Sequence, residues 1–298
     1  MSSESSSAPT KAKFSDYVEL TKPRLSLLSV LTAIVGYYAS KPERDLVTLI
    51  YVFVGTSLAA GGVAVLNQWL EFDTDAQMHR TANRPIPSGK IPTGSAFILG
   101  ATMCLFSCMG LFALVGKLAA LFTALTIVTY LGWYTPAKRY SRWSTEIGAI
   151  AGAFPPLIGW AAGEGRISAL GWILFLFMYF WQMPHFMAVA WIYRKDYSAV
   201  HFPMPTVTDE SGKWAAGWSF VNTLLLLIVS VLPYSLHLVS IYYTVIVALL
   251  GLWFLYCAIL FLKASTRDQA ARKLFLASIA YLPLALGALV LDRLFIHV

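Results

Sequence analysis

Long uncharged stretches alternate with short charged stretches along almost the whole chain. A membrane-spanning helix needs about 20 mostly apolar residues. Uncharged runs of suitable length occur at Leu25–Ser40, Leu46–Leu70, Ile91–Gly116, Leu118–Ala137, Ile147–Gly163, Ile167–Tyr193, Trp214–Leu262 and Leu274–Leu291. The run of 49 residues from Trp214 to Leu262 is long enough for two spans that turn near Pro233–His237. The pattern predicts an all-α membrane bundle of nine transmembrane helices.

The overall composition excludes a soluble protein. Of the 298 residues, 58% are hydrophobic and 12% are charged, and the mean hydropathy is +0.65. An average soluble domain carries roughly 25% charged residues. A soluble chain this apolar could not cover its own surface with polar groups, so the bilayer must be its solvent.

The distribution of Lys and Arg predicts the orientation of the bundle, because cytoplasmic loops carry an excess of these residues. With the N-terminus in the cytoplasm, inner segments hold 17 of the 22 and outer segments hold 5. The outer five are Lys41, Arg44, Lys117, Arg166 and Arg293. An odd number of spans then places the C-terminus outside. The net charge of +7 is therefore mainly a topology signal and gives no reason to expect nucleic-acid binding.

The N-terminal segment differs in composition from the rest of the chain. The first 13 residues are Ser-rich, contain Glu4 and lack Arg, unlike a cleavable signal peptide or an Arg-rich transit peptide. We expect a disordered cytoplasmic tail over residues 1–20 and a single intramembrane domain over 21–298. A bacterial plasma (inner) membrane is the simplest location.

The strongest candidate site follows the second predicted span, in the stretch N-Q-W-L-E-F-D-T-D. Asn67, Glu71 and Asp75 are spaced i, i+4, i+8 and project from one face of a continuing helix, whereas Asp73 lies on another face. Two carboxylates and an amide oxygen form a set suited to Mg²⁺. The alternative is a solvated helix end, but acids there oppose the helix dipole.

Cations that could bind phosphate follow this acidic stretch and the fourth span. Arg80 and Arg84 come soon after Asp75, and arginine binds phosphate oxygens bidentately. The segment Y-T-P-A-K-R-Y-S-R supplies Tyr134 with Lys138, Arg139 and Arg142. By itself this segment is typical of a basic inner loop with an interfacial Tyr. Beside an acidic site it favours a diphosphate clamp.

A third polar cluster closes the sixth span, in W-Q-M-P-H-F and the residues after it. Gln182 and His185 lie inside the span, where polar groups are costly and often functional. His185 could hydrogen-bond a neighbouring helix, contact an acceptor substrate or act as a general base. The inner end of this span carries Arg194, Lys195 and Asp196.

Together, these clusters predict a pocket at the inner membrane surface for a metal-bound diphosphate whose apolar tail lies in the membrane. The metal and the cations would stabilise charge on the leaving group as a C–O bond breaks. A secondary transporter is the main alternative of another class. Transporters carry ionisable residues near the bilayer midplane, whereas these acids lie at the inner ends of spans.

Several stretches, in order, resemble the UbiA-type intramembrane prenyltransferase superfamily and, within it, the branch that farnesylates protohaem IX. The resemblance extends from Lys22 to about Pro205. It is carried by T-K-P-R at Thr21–Arg24, N-Q-W-L-E-F-D-T-D with its continuation to Pro85, W-Y-T-P-A-K-R, G-A-F-P-P-L-I-G-W at Gly152–Trp160, W-Q-M-P-H-F at Trp181–Phe186 and R-K-D-Y at Arg194–Tyr197.

The resemblance implies an Mg²⁺-dependent transfer of farnesyl from farnesyl diphosphate to a vinyl group of haem b, with addition of water, to give haem O. It implies metal-binding roles for Asn67, Glu71 and Asp75 and catalytic roles for these three with Tyr134 and Lys138. The implied substrate-binding residues are Arg80, Arg84, Arg139, Arg142, His185, Arg194, Lys195 and Asp196. Haem A synthase or a terminal oxidase would be the assembly partners of such an enzyme.

Two departures from the superfamily pattern bear on the acceptor. The middle acidic position is Glu71, where relatives that act on aromatic rings usually have Asp, and the second acidic motif is reduced to Asp196. These departures favour a haem acceptor over the alternative, an aromatic quinone precursor. A non-catalytic haem- or quinone-binding subunit would need facing axial histidines, and only His185 lies clearly inside a predicted span.

Overall fold

A computed structural model describes residues 12–40 and 45–296, and within these ranges the chain contains helices and no β-strand. The helices are α1 (Phe14–Leu20), α2 (Pro23–Ser40), α3 (Leu46–Leu70), α4 (Phe72–Asp75), α5 (Thr93–Leu114), α6 (Lys117–Val128), a π-helical segment (Thr129–Tyr134), α7 (Thr135–Tyr140), α8 (Ser144–Ala153), α9 (Pro155–Glu164), α10 (Ala169–Ile192), α11 (Arg194–Ala199), α12 (Pro205–Thr208), α13 (Lys213–Ser235), α14 (Ile241–Leu262), a 3₁₀ turn (Ala264–Thr266) and α15 (Arg267–Phe295).

Seven helices of the described chain are long and apolar enough to cross a membrane. They are Leu46–Leu70, Thr93–Leu114, Lys117–Tyr140, Ala169–Ile192, Lys213–Ser235, Ile241–Leu262 and Ala264–Phe295. The other two predicted spans also form helices. The run Leu25–Ser40 lies in α2, and the run Ile147–Gly163 is divided between α8 and α9 at Phe154, just before Pro155.

The 49-residue apolar run forms two helices, as its length predicts. α13 ends at Ser235 and α14 begins after Ser240, whose hydroxyl accepts from the backbone N–H groups of Tyr242 and Tyr243. Between them His237 adopts a positive φ of 54°. The turn therefore lies just beyond Pro233, at the expected position.

α2 and α9 pack with their backbones in direct contact. A Cβ atom on Gly159 would lie 1.7 Å from the Ala33 carbonyl oxygen, and one on Gly36 would lie 2.0 Å from the Pro156 carbonyl oxygen. Small residues at such crossings let membrane helices approach closely. The contact brings α2 and α9 together beside the apolar cavity described below.

The described chain begins and ends at opposite ends of the bundle. Lys22, just before α2, lies beside Asn67 near the end of α3. Arg293, near the end of α15, donates to the carbonyl of Ala39 at the far end of α2, at 3.0 Å. The functional clusters described below lie at the Lys22 end.

The expectation of a disordered tail over residues 1–20 is wrong from Phe14 onward, where α1 begins. Leu20 is fully buried in a cluster with Val65 and Ile91, and this packing holds the helix against the bundle. Residues 1–11, 41–44 and 297–298 lie outside the described residues. The outer-loop charges Lys41 and Arg44 fall among them.

Candidate functional site

The three acidic-motif residues meet at the end of α3. The helix ends at Leu70, and Glu71 leaves the helical conformation with φ −109° and ψ 10°, so the predicted continuing helix is interrupted there. The backbone N–H of Asp75 still donates to the Glu71 carbonyl at 2.8 Å, which keeps the next turn in register. Asn67, Glu71 and Asp75 are therefore all buried, with 3%, 5% and 1% exposure.

Each buried carboxylate has a cationic partner. The Lys138 ammonium lies 2.9 and 3.1 Å from the two Glu71 carboxylate oxygens, and an Arg84 nitrogen lies 2.5 Å from Asp75. The Asn67 side-chain amide donates to Glu71 at 3.0 Å and to the Thr135 hydroxyl at 3.2 Å. Each buried carboxylate therefore has a positive charge beside it that compensates its own.

Tyr134 and Lys138 lie one turn apart, as the sequence predicts, despite Pro136. The π-helical segment ends at Tyr134, and Pro136 occupies the first turn of α7, where a missing N–H is tolerated. The Lys138 ammonium lies 4.6 Å from the centre of the Tyr134 ring. Gly148 on α8 makes room for this ring, because a Cβ there would lie 2.7 Å from it.

Lys22 belongs to the same cluster, although the sequence did not single it out. Its ammonium lies 3.5 Å from the Asn67 side-chain oxygen, and its backbone adopts a positive φ of 45°. Burial and the positive charges of Arg84 and Lys138 lower the pKa of Lys22 to about 7, against the opposite effect of Asp75 and Glu71. The sequence feature that could have identified Lys22 was its place in the T-K-P-R motif.

These groups line a cavity of about 120 Å³, which we call the polar cavity. Four cationic side chains face two carboxylates in it, so an additional anion would be favoured. Tyr197, Phe202 and Met204, from the segment after α10, also line it. Its full lining is Lys22, Asn67, Glu71, Asp75, Met78, Arg80, Arg84, Tyr130, Tyr134, Lys138, Tyr197, Phe202 and Met204.

A second cavity of about 170 Å³, here the apolar cavity, lies beside the polar one. Lys22 and Tyr130 line both cavities. Its other walls are mainly small and apolar and come from α2, α3, α6, α8 and α9, including Ala59, Ala60 and Ile158. A cavity lined by charged side chains therefore lies beside a cavity that could hold a hydrocarbon chain.

Two of the three cations predicted after the fourth span lie outside the polar cavity. Arg139 pairs with Asp73 at 2.6 and 3.0 Å on the exposed side of the site. Burial would raise the pKa of Asp73, but the hydrogen bonds from Arg139 and nearby backbone groups lower it overall. Arg142 stacks on Trp143 and Trp214, with its guanidinium 5.0 and 5.6 Å from the ring centres.

The residues predicted after the sixth span are also divided. Arg194 donates to the Trp191 carbonyl at 2.8 Å and pairs with Asp268 on α15, in a separate surface groove. Lys195 is exposed. Asp196 pairs with Arg80 at 3.9 Å, and the Arg80 guanidinium lies 5.3 Å above the Tyr193 ring. This pair joins the segment after α4 to α11 at the rim of the polar cavity.

Gln182 and His185 contact different neighbouring helices. Gln182 donates to the Ala149 carbonyl at 3.2 Å, and a Cβ on Gly152 would lie 2.0 Å from its side-chain oxygen. His185 lies against α15, with its Nδ1 atom 2.7 Å from the Ser278 hydroxyl. Neither residue lines the polar cavity.

The donor set at the polar cavity fits a hard cation that uses few protein ligands. In the described ranges, no group of three or more His, Cys, Asp or Glu side chains could hold a metal ion. The candidate set is instead two carboxylates and the Asn67 amide oxygen. Mg²⁺ uses such sets when water and phosphate oxygens complete its shell.

Comparison with known proteins identifies relatives across nearly the whole chain. Residues 28–279 match the UbiA prenyltransferase family. A protoheme IX farnesyltransferase from Opitutus terrae is 66% identical over 98% of this chain and 99% of its own length. One from Solibacter usitatus is 39% identical, over 93% of this chain and 98% of its own length.

Solved structures with the same fold share much less sequence. A digeranylgeranylglyceryl phosphate synthase superposes with a TM-score of 0.80 at 20% identity, over 94% of this chain and 98% of that one. A UbiA homolog from Archaeoglobus fulgidus, bound to GPP and Mg²⁺, gives a TM-score of 0.66 at 10% identity, over 92% and 99%. With the family match and the close relatives, these results establish that the chain belongs to the UbiA prenyltransferase family.

Proposed function

We propose that this protein transfers a farnesyl group from farnesyl diphosphate to a vinyl group of haem b, with addition of water, to give haem O and diphosphate. The observation that carries the proposal is the polar cavity, where buried Asn67, Glu71 and Asp75 lie among four cationic side chains beside an apolar cavity. The relatives at 66% and 39% identity, both protoheme IX farnesyltransferases, support haem as the acceptor.

In this proposal the polar cavity holds the diphosphate, and the apolar cavity receives the farnesyl tail. Lys22, Arg84 and Lys138 line the polar cavity and would bind phosphate oxygens and stabilise charge as the allylic C–O bond breaks. A new bond joins the farnesyl C1 to one vinyl carbon, the oxygen of water adds to the other, and a proton leaves. The surrounding protein would keep the farnesyl cation away from bulk water.

Asn67, Glu71 and Asp75 would hold Mg²⁺ in this site. When bound, the metal would neutralise the diphosphate leaving group. The Archaeoglobus fulgidus homolog bound to GPP and Mg²⁺ supports a metal-assisted reaction in this fold. Lys138 and Arg84 already neutralise Glu71 and Asp75, so they would share these carboxylates with the metal or turn toward the phosphates.

We further propose that the chain crosses a bacterial plasma (inner) membrane nine times, with its N-terminus and active site toward the cytoplasm and its C-terminus outside. α2 and the α8–α9 pair would be the two spans beyond the seven long apolar helices. The positive-inside distribution supports the orientation. The position of Lys22 and Arg293 at opposite ends of the bundle supports an odd number of crossings.

Reconstituted turnover tests the proposal directly. Purified protein receives Mg²⁺, farnesyl diphosphate and haem b, and mass spectrometry follows a haem product heavier by one farnesyl and one hydroxyl group. Parallel reactions replace haem with a phenolic quinone precursor or replace Mg²⁺ with EDTA. We expect product only in the complete reaction, which contains farnesyl diphosphate, haem b and Mg²⁺. Turnover of the phenol without turnover of haem would contradict the proposed acceptor, and undiminished turnover in EDTA would contradict the metal.

A further inference from the structure

His185 has a defined tautomer, because its hydrogen-bond partner has only one proton to give. The Ser278 hydroxyl donates to the Phe275 carbonyl at 2.6 Å, within α15. Its oxygen, 2.7 Å from the His185 Nδ1 atom, must therefore accept from the imidazole. The ring proton of neutral His185 is thus on Nδ1, and the lone pair is on Nε2.

The Nε2 atom is left available by its surroundings. No residue in the described ranges 12–40 and 45–296 forms a hydrogen bond or ion pair with it, and the side chain is only half-buried. The ring stacks on buried Trp181 with the ring centres 5.1 Å apart, and Phe186 and Phe275 lie at 5.3 and 5.2 Å. An imidazole with a free lone pair, held among aromatic rings inside a membrane span, is unusual unless it binds something.

We infer that His185 is an axial ligand of the haem iron in the acceptor substrate, through Nε2, and that Ser278 is the positioning residue that fixes this tautomer. Ligating histidines commonly donate their second N–H to a neighbouring oxygen, which orients the ring and makes it more basic. The aromatic rings around His185 would contact the porphyrin. The inference rests on haem being the acceptor, as proposed above.

The position of His185 relative to the apolar cavity is consistent with this role. Gln182, about one helical turn away on α10, packs against Gly152, which lines the apolar cavity. One turn advances a helix by about 5.4 Å. The vinyl groups lie at the edge of the porphyrin, so a haem held through its iron at His185 could direct one of them toward that cavity.

Pro184 removes one backbone hydrogen bond from α10 next to His185. It lies inside α10, immediately before His185, and cannot donate the backbone hydrogen bond that a regular helix would have there. Proline inside a helix often produces a kink.

Haem binding without the prenyl substrate tests the inference separately from turnover. Ferric haem b is titrated into purified protein lacking Mg²⁺ and farnesyl diphosphate, and absorption and resonance Raman spectra report the iron ligand. We expect a histidine-ligated spectrum for the wild type. His185→Ala should lose this spectrum and weaken haem binding by about 100-fold, and added imidazole should restore the ligation.

The positioning role of Ser278 has a distinct spectroscopic signature. Ser278→Ala should keep the histidine ligation but lower the Fe–histidine stretching frequency of the ferrous complex, with about tenfold weaker haem binding. His237→Asn is the matched control, because His237 is exposed and Asn tolerates its positive φ of 54°. It should leave the spectra unchanged.

The outcomes separate this inference from the proposed function. If the wild type converts haem to product but His185→Ala, shown to be folded by its melting temperature, keeps the wild-type haem spectrum and affinity, the inference is overturned and the function stands. An unchanged Fe–histidine frequency in Ser278→Ala would overturn the role of Ser278. A wild type that neither binds nor converts haem would overturn the proposed acceptor itself.

Discussion

The two polar loops at the same end of the bundle bring charged residues to the polar cavity in different ways. The first polar loop, residues 71–94, contributes Glu71 and Asp75 beside Asn67 at the end of α3, and all three are at most 5% exposed. The second polar loop, residues 193–213, contributes a single acid near the cavity, Asp196. That carboxylate is 28% exposed and contacts Arg80 only at 3.9 Å.

The difference in burial predicts a difference in energetic importance. Removing one partner from a buried ion pair costs about 3–5 kcal/mol, because the other charge stays buried without compensation. An exposed pair contributes about 0–1 kcal/mol. We therefore expect the first polar loop to support charge chemistry and the second mainly to cover the cavity, through Tyr197, Phe202 and Met204.

Neutralising a buried carboxylate should produce the largest effect. Asp75→Asn or Glu71→Gln should lower diphosphate release on the order of 1,000-fold, because each removes a charged group from the metal and phosphate site. Release of diphosphate from farnesyl diphosphate measures it, and melting temperature checks folding. Asp73→Asn, on the exposed side of the same helix, should change the rate less than about fivefold. Equal losses in all three variants would contradict the expected difference between the buried carboxylates and exposed Asp73.

Replacing the neighbouring cations Lys138 and Arg139 should also have unequal effects, with the larger loss of activity at Lys138. Lys138→Gln should lower kcat/KM on the order of 100-fold, since its ammonium faces the polar cavity and contacts Glu71. Arg139→Gln should lower it by less than about fivefold, because its partner Asp73 lies outside. Steady-state kinetics with varied farnesyl diphosphate gives both values. A larger loss in Arg139→Gln would place the diphosphate on the other side of α7.

Replacing Lys22 should weaken binding of the prenyl substrate more than it slows the chemical step. Lys22→Met removes one cation from the cavity while keeping an unbranched side chain. We expect KM for farnesyl diphosphate to rise about tenfold, since a charge-assisted hydrogen bond contributes about 1.5–3 kcal/mol. Arg24→Met, an exposed cation two residues away, is the control. An unchanged KM in Lys22→Met would exclude contact between Lys22 and the diphosphate.

The smallest effect is expected in the second polar loop. Asp196→Asn should change kcat/KM by less than about fivefold, because the ion pair with Arg80 is long and exposed. A loss comparable to that of Asp75→Asn would contradict the comparison and would favour a second metal at Asp196. Turnover measured across a range of Mg²⁺ concentrations would then separate a metal site from a structural contact.

Hydrophobic patterning was sufficient to predict most of the fold. Seven of the nine predicted runs each form one helix, the fourth is divided among α6, the π-helical segment and α7, and the fifth is divided between α8 and α9. The pattern did not reveal α1, because seven residues with mixed polarity carry no spanning signal and their burial depends on packing of Leu20 against α3. It also missed the break at Glu71, where the backbone leaves the helical conformation although the Asp75 N–H still donates to the Glu71 carbonyl.

The candidate site was predicted in part. The i, i+4 spacing correctly placed Asn67, Glu71 and Asp75 together, and it placed Asp73 elsewhere. Spacing could not distinguish Lys138 from Arg139 and Arg142, since all three follow the same span. It gave no reason to include Lys22, which joins the cluster through a contact with a residue 45 positions away.

The sequence by itself determined that this protein is helical, that it lies in a membrane and that its charged residues collect at the ends of particular spans. These properties follow from local composition and periodicity. Tertiary structure alone decided which cations face the polar cavity, that Lys22 is among them, and that His185 donates to Ser278. Periodicity gives the angle between residues on one helix, but only packing against other helices determines which side of that helix faces inward.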